Sequence, residues 1–177
     1  MSSVIFRGYG KISFRTISLV QQPAARTLWF PTLLDQEIGM NNDFNGLIEA
    51  RTDLDDNQVN QICDQIRECG FGLHQYLSKG FREKVYERGM AHRLRKAGLE
   101  VAVQPRVKVF DEDGTELVEE VMDLIVERVV IVELKAVRQT LDADIAQLLG
   151  YQRAARFRHG LLMNFGGDKF YIRKYVI

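Results

Sequence analysis

The stretch VVIVELKAV, residues 129–137, decides the fold. Its run of apolar residues predicts a strand in the core of a sheet, and the side chains of a strand alternate between two faces. Glu133 and Lys135 are two residues apart and therefore point to the same face. Buried charge is costly unless it is paired or binds a metal. The strand is therefore expected to carry either a functional charged pair or a structural ion pair.

Composition limits the classes of protein that this chain can represent. The 177 residues suffice for one domain with a core, and the formal net charge is zero. A basic nucleic-acid-binding composition is thus absent, although a local basic patch stays open. No apolar run approaches the roughly 18–20 residues that cross a membrane. Cys63 and Cys69 are too few for a disulfide framework and lack metal-knuckle spacing, so free thiols and a cytoplasmic location are expected.

The first forty residues differ from the remainder in composition. Up to Leu34 they hold four basic residues and no acidic one, and Ser and Thr are frequent, as in a transit peptide. Met40 opens the stretch MNNDFNGL, a plausible start of its own. Three interpretations stay open: a mis-called start, a floppy or loosely docked extension, and an organelle signal. We predict an N-terminal extension over 1–40 and one domain over 41–177.

Hydrophobic periodicity predicts three helices. Apolar residues at three-to-four spacing indicate a helix that begins near Asp55 and weakens at Gly70 and Gly72, and a second helix over 81–97. A third helix is predicted over 142–157, with Asp142 as its cap.

Alternating apolar residues predict five strands. The predicted ranges are 101–110, with Pro105 indicating an edge or bulge, 115–126, 129–137, 160–166 and 169–177. The order α-α-β-β-β-α-β-β predicts an α/β domain with helices packed on a central mixed sheet.

An isolated acid in the second strand completes a candidate constellation. Asp123 lies in an apolar stretch ten residues before Glu133. A three-residue connection over 127–129 places the two carboxylates opposite each other on one face, whereas a two-residue turn separates them unless a bulge intervenes. We predict the odd-numbered connection or a bulge, so that Asp123, Glu133 and Lys135 converge at one end of the hairpin.

This constellation has a metal-dependent interpretation and a structural one. Adjacent carboxylates repel each other, and a hard divalent cation removes the conflict, with the Leu134 carbonyl as a further oxygen ligand. Lys135 would then orient a water and stabilise charge on a phosphoryl oxygen. The alternative is a structural Glu133–Lys135 pair with the acids on a solvated face. The pattern D-x9-E-x-K is weak by itself.

Two helices supply further polar residues at regular spacing. Glu83 and Tyr86 are three apart in the second helix, and Gln147 and Tyr151 are four apart in the third, so each pair shares a helix face. Taken singly, each has an ordinary interpretation: Glu83 as a solvated helix acid and Tyr151 as a core residue with a wet hydroxyl.

From about residue 56 to 177 the chain resembles the G-x-x-E-x-x-Y family of small bacterial proteins, within the PD-(D/E)XK nuclease superfamily. The stretches VIVELKAV, QLLGY and GLLMNFG are similar to the wording of that family. The matching residues are Gly80, Glu83 and Tyr86 for the name-giving motif, Asp123 for the isolated acid, and Glu133, Leu134 and Lys135 for E-x-K. One departure is that Met122, rather than Pro, precedes Asp123.

The resemblance implies a PD-(D/E)XK core, Mg²⁺ or Mn²⁺ held by acids, and phosphodiester hydrolysis. Carried onto this chain, Asp123 and Glu133 would bind the metal and Lys135 would position the attacking water. Glu83 would lie near the metal, as a ligand or through water, or hold Lys135. Three further side chains would brace the site or contact the substrate: Tyr86, Gln147 and Tyr151.

Nucleic acid, with DNA favoured, is the expected partner. Basic residues gather late in the chain, as phosphate binding requires, although a solvated basic face is the alternative. These residues are Arg153, Arg156, Arg158, Lys169, Arg173 and Lys174. Three functional hypotheses follow: a metal-dependent nuclease, a non-catalytic binding module that keeps the fold, and a subunit whose site is completed by a partner or by a second copy in a homodimer.

Overall fold

The computed structural model describes residues 48–177, so the predictions for the first forty residues lie outside it. The elements in chain order are α1 (Asp56–Leu77), α2 (Glu83–Lys96), β1 (Val101–Val103), β2 (Arg106–Phe110), β3 (Glu116–Val121), β4 (Leu124–Val126), β5 (Val130–Lys135), α3 (Asp142–Ala155), β6 (His159–Asn164) and β7 (Tyr171–Val176). None of the helices in this part of the chain has the length and apolar character needed to span a bilayer.

Five strands form one mixed sheet in the order β1-β4-β5-β6-β7. Its neighbours pair antiparallel except β5 and β6, which are parallel and joined through α3. A parallel connection of this kind needs a crossover, and the helix provides it. Helices cover both faces of the sheet, and the predicted α/β class with a central mixed sheet is confirmed.

The two faces of β5 pack against different helices. Val130, Val132 and Leu134 belong to the apolar cluster with α1 and α2, whereas Ile131 packs in the cluster with α3. This central strand is almost entirely buried, as expected for parallel strands covered on both faces. Because side chains alternate, Glu133 and Lys135 share the face of Ile131. The charged pair therefore projects to the α3 side of the sheet.

Helix α1 extends beyond Gly70 and Gly72, where the sequence predicted that it would weaken. Asp55 caps its start, with the Asp55 carboxylate accepting from the Gln58 N–H at 2.8 Å. The helix continues through both glycines to Leu77. A Cβ at Gly70 would overlap the Met163 side chain of β6 and lie 2.7 Å from the Phe170 ring, so glycine lets the helix approach the sheet closely. Tertiary packing thus outweighs the low helix propensity of glycine.

The strands predicted over 101–110 and 115–126 are each divided in two. Gln104 has a φ of 53° and precedes Pro105, so the chain turns sharply there. The Gln104 N–H donates to the Asp123 carbonyl at 2.9 Å, and the Met122 N–H donates to the Pro105 carbonyl at 3.0 Å. Strands β2 and β3 leave the main sheet at this corner as a separate two-stranded hairpin. Asp123 lies at the corner itself.

The ends of α3 also differ from the prediction. Asp144, rather than Asp142, accepts the Leu141 N–H at 2.8 Å at the start of the helix. The helix ends at Ala155 because Arg156 adopts a left-handed conformation, with a φ of 58°.

Candidate active site

Asp123 and Glu133 occupy opposite positions where β4 meets β5. Leu124 pairs with Val132 and Val126 with Val130, which leaves three residues in the connection. The predicted three-residue connection is confirmed, and extending the register by one pair sets Asp123 against Glu133. Glu127 and Arg128 in the connection both have positive φ, 52° and 54°. The two carboxylates therefore share one face.

A backbone contact joins Asp123 to the E-x-K strand. The Leu134 N–H donates to Asp123 Oδ2 at 2.7 Å. Burial nevertheless raises the pKa of Asp123 to about 6, with the negative charge of Glu83 acting in the same direction and the Leu134 N–H opposing both.

Glu133 is a deeply buried charged group of the site. Its side chain is 4% exposed, and its Oε1 accepts from Lys135 Nζ at 2.7 Å. Its Oε2 is buried and has no hydrogen-bond partner in the part of the chain that the structure describes. Burial, and then the charge of Asp123, raises the pKa of Glu133 to about 7 despite the neighbouring Lys135. A partnerless buried oxygen of this kind requires an explanation, and a cation is one.

A chain of hydrogen bonds connects Lys135 to α3. Lys135 Nζ donates to Gln147 Oε1 at 2.9 Å, Gln147 Nε2 donates to the Tyr151 hydroxyl at 2.8 Å, and that hydroxyl donates to the Val121 carbonyl at 3.3 Å. Partial burial acts to lower the pKa of Lys135, but the hydrogen bond to Glu133 and the surrounding acids raise it overall. The Lys135 ammonium is therefore positioned by Gln147, which is itself positioned by Tyr151.

Glu83 lies in the first turn of α2, near the same carboxylates. It is half-buried, and its charge contributes to the raised pKa of Asp123, Glu133 and Lys135. The preceding turn needs Gly80, whose φ is +113°. Gly80 thus allows the turn that brings the Glu83 carboxylate near Asp123 and Glu133.

Tyr86 is a bracing residue in the core. It is fully buried and stacks on Phe165 with ring centroids 4.7 Å apart. Its hydroxyl donates to the Ser78 carbonyl at 2.7 Å, in the turn that precedes α2. Tyr86 therefore fixes the entry of the helix that carries Glu83.

Glu87 belongs to the surroundings of the site and was missed by sequence reasoning. It is buried, it accepts from Lys84 Nζ at 2.6 Å and from Gln104 Nε2 at 3.3 Å, and its charge contributes to the raised pKa of Asp123. The available signal was its position one helical turn after Glu83. A lone helix acid is usually solvated, so the signal was weak.

The basic residues predicted to bind nucleic acid do not form one surface. Arg158 pairs with Asp56 at 3.2 Å and Lys174 contacts Asn60 at 2.8 Å, both on α1. Neighbouring residues of a strand face opposite sides, so Arg173 and Lys174 in β7 are separated by the sheet. The remaining predicted residues are Lys169, which is exposed, and Arg153 and Arg156, which line a groove beside Gln147 and Tyr151.

The donor set of the site suits a hard divalent cation. Two carboxylates with raised pKa face each other, one of their oxygens is orphaned, and the Leu134 carbonyl lies on the same strand edge as the Leu134 N–H. Within residues 48–177 no three His, Cys, Asp or Glu side chains form a group able to hold a metal. Mg²⁺ keeps several waters and needs only one or two carboxylates, so this set fits it.

The chain belongs to the PD-(D/E)XK nuclease superfamily. The family model of that superfamily matches residues 60–175, from the second turn of α1 almost to the end of β7. No curated protein sequence matches the chain. A solved structure titled "Crystal structure of SSO0001" is similar over 52% of this chain and 48% of its own, with 16% identity and a TM-score of 0.45. The chain thus spans about half of the length of that protein.

Proposed function

We propose that this protein hydrolyses phosphodiester bonds in nucleic acid with the aid of Mg²⁺ or Mn²⁺. The observation that carries the proposal is the pair of opposed carboxylates, Asp123 and Glu133, with Lys135 on the same face and a buried Glu133 oxygen that has no hydrogen-bond partner within residues 48–177. Membership in a nuclease superfamily supports the same chemistry.

Each residue of the site has a distinct role in this proposal. Asp123, Glu133 and the Leu134 carbonyl would hold the cation, and Glu83 would lie near it, as a ligand or through water, or would hold Lys135. The cation, when bound, supplies a Lewis acid for the phosphoryl oxygen and a lower pKa for water. Lys135, held by Gln147, directs its N–H groups at the attacking water and at charge that develops on the phosphate.

More specifically, we propose that the chain is a member of the G-x-x-E-x-x-Y family, that its substrate is DNA and that it is located in the cytoplasm. The geometry supports the family motif because Gly80 shapes the turn, Glu83 approaches the site and Tyr86 braces the helix. Cys63 and Cys69 are free thiols, which suits a reducing compartment. A homodimer or partner subunit is a separate proposal, tested by whether specific activity rises with protein concentration.

A non-catalytic binding module is the second candidate. The observation that favours it is the closed Glu133–Lys135 ion pair at 2.7 Å, together with the lack of a three-ligand group within residues 48–177. On this account the pair is structural, and nucleic acid binds without cleavage.

Calorimetric titration with Mn²⁺ and Mg²⁺ separates the two candidates. We expect wild type to bind Mn²⁺ and the double variant Asp123→Asn/Glu133→Gln to lose that binding. The matched control is Asp64→Asn/Glu68→Gln, two exposed acids on α1. Cleavage of labelled single- and double-stranded DNA and RNA follows with the same three proteins. Equal Mn²⁺ binding in all three, or no cleavage by wild type on any substrate, contradicts the hydrolytic proposal.

A further inference from the structure

A groove lies beside the candidate active site, between α3 and the β2–β3 hairpin. Its volume is about 660 Å³. It shares Gln147 and Tyr151 with the hydrogen-bonded chain that holds Lys135, so one end of the groove is continuous with the site. Its other end runs along the exposed hairpin.

The charge of the groove suits a polyanion. Lys108, Arg153 and Arg156 line it, against the single acid Glu120. Lys108 also pairs with Glu116 at 2.7 Å. No ion pair within residues 48–177 involves Arg153 or Arg156, which are both exposed. Two arginines are therefore available for phosphates, and guanidinium groups bind phosphate with two parallel hydrogen bonds.

An aromatic ring and an open glycine shape the remainder of the groove. Phe110 lines it, and the residue is 50% exposed, so its ring is accessible to a ligand in the groove. Gly150 lies in α3 with a helical backbone, and a Cβ there would meet no atom within 4 Å. The glycine thus keeps the wall of the groove low where the chain does not require glycine for its conformation.

These features suit a single strand of nucleic acid. Channels for single-stranded nucleic acid combine a positively charged groove with aromatic rings on which bases stack. A duplex keeps its bases stacked internally and offers no base face to Phe110. The volume, about 660 Å³, is in the range of sites for one small molecule and is sufficient for a short stretch of a single strand.

We propose that a single-stranded segment of nucleic acid lies in this groove, next to the Asp123–Glu133 site, with a base on Phe110 and phosphates on Arg153 and Arg156. This inference rests on the proposed function for its orientation relative to the scissile bond. It names a class of substrate that the residues of the site alone do not specify: a free end, a flap or a single-stranded region.

The test is direct binding by the full chain in EDTA, which suppresses cleavage. The probes are labelled oligomers of twelve nucleotides, dT12 and rU12, and a twelve-base-pair DNA duplex, in fluorescence anisotropy. We expect tighter binding of a single strand than of the duplex, and about tenfold weaker single-strand binding by Phe110→Ala. Gly150→Trp fills the groove and has a similar effect. Arg153→Ala/Arg156→Ala reduces the salt slope by about 1.4, since each phosphate contact contributes about 0.7.

Matched variants separate the groove from general effects. Leu117→Ala removes a large apolar residue of the same hairpin, exposed to 60%, that does not line the groove. Arg67→Ala/Arg88→Ala removes two exposed cations elsewhere. We expect both variants to bind as wild type does, with unchanged circular dichroism.

The outcomes also distinguish this inference from the proposed function. Equal single-strand binding by Phe110→Ala, Gly150→Trp and wild type would overturn the proposed single-strand site in the groove. Equal or tighter binding of the duplex would overturn it as well. Neither result would affect the proposal of metal-dependent cleavage. Single-strand binding that behaves as expected, without cleavage in Mn²⁺, supports the groove and overturns the hydrolytic function. The dT12 and rU12 arms identify which nucleic acid the groove prefers.

Discussion

Gln104 and Glu87 are joined by a hydrogen bond of 3.3 Å across the corner where the β2–β3 hairpin leaves the sheet. The same Gln104 donates its backbone N–H to the Asp123 carbonyl at 2.9 Å. Gln104 adopts a left-handed conformation, which costs free energy for a residue other than glycine. The Glu87 carboxylate therefore holds a strained residue that in turn fixes the backbone of Asp123.

The first prediction concerns Glu87 as a positioning residue. Glu87→Ala leaves the exposed Gln104 amide without its protein acceptor, and we expect a loss of about 0.5–1.5 kcal/mol in the free energy of unfolding and weaker Mn²⁺ binding. Glu87→Gln keeps an acceptor oxygen at the same place and restores most of the Mn²⁺ affinity. Calorimetry on both variants checks this. Unchanged Mn²⁺ affinity in Glu87→Ala would limit the residue to a purely structural role.

The second prediction is a pH dependence of stability without metal. The pKa values of Asp123 and Glu133 are raised to about 6 and 7 in the folded protein, so the folded state binds more protons than the unfolded chain between about pH 4 and 7. The free energy of unfolding contributed by these groups therefore falls as pH rises through that window, by on the order of 1–3 kcal/mol.

Urea unfolding in EDTA at several pH values from 5 to 8 measures this effect. The reference is Asp123→Asn/Glu133→Gln, which lacks both titrating groups while other groups, such as the buried His159, continue to titrate. We expect the stability of wild type relative to this variant to decline with rising pH. A difference that stays constant over the range would show that neither pKa is raised. Added Mn²⁺ should restore wild-type stability at pH 8, because it favours the ionised carboxylates.

The third prediction separates Lys135 as a catalytic residue from Lys135 as a structural cation. Lys135→Met removes the ammonium and keeps most of the side-chain volume. We expect cleavage to fall by roughly a hundredfold or more, as for the loss of one preorganised donor, while Mn²⁺ affinity is kept or increases because Glu133 loses its competing partner. Gln147→Ala should have a smaller effect of the same kind. Loss of Mn²⁺ binding and folding together in Lys135→Met would favour the structural pair.

The fourth prediction concerns the tyrosine of the G-x-x-E-x-x-Y motif. Tyr86→Phe removes the donor to the Ser78 carbonyl, and we expect a loss of about 1 kcal/mol in the free energy of unfolding with Mn²⁺ affinity nearly unchanged. Tyr86→Ala should cost about 3–5 kcal/mol, because the ring that stacks on Phe165 is lost. Thermal unfolding and calorimetry give both values. A strong loss of cleavage in a stably folded Tyr86→Phe would instead place the hydroxyl on the substrate.

The core and the register of the site were predictable because both depend on local spacing. The run in β5 and the distance of ten residues between Asp123 and Glu133 are periodic signals, and a strand leaves few ways to satisfy them. The acids and Lys135 could therefore be placed on one face before any coordinates were known. The family model that matches residues 60–175 agrees with the predicted fold class.

The corner and its contacts were not predictable for the opposite reason. Alternation over 101–110 looks the same whether a strand is straight or is broken at Gln104 and Pro105, and only the pairing partners distinguish the two. The role of Glu87 depends on its hydrogen bond to Gln104 at that corner. Gln104 lies seventeen residues away in sequence, so local spacing does not reveal the contact. The predicted basic cluster failed to form one surface because Arg173 and Lys174 alternate across β7, a feature that charge composition does not contain.

Because the β2–β3 hairpin leaves the main sheet at the corner next to Asp123, the hairpin can vary without changing the sheet. Strands β2 and β3 join the sheet through two short connections, and of the residues 106–121 only Val107 is buried in the core. The tip of the hairpin, DEDG at 111–114, is exposed and contains none of the proposed ligands. A longer, shorter or differently charged hairpin would thus alter which ligand the protein binds, while Asp123 and Glu133 stay in place. On the proposed function, substrate choice and bond cleavage would be encoded in separable segments of one short chain.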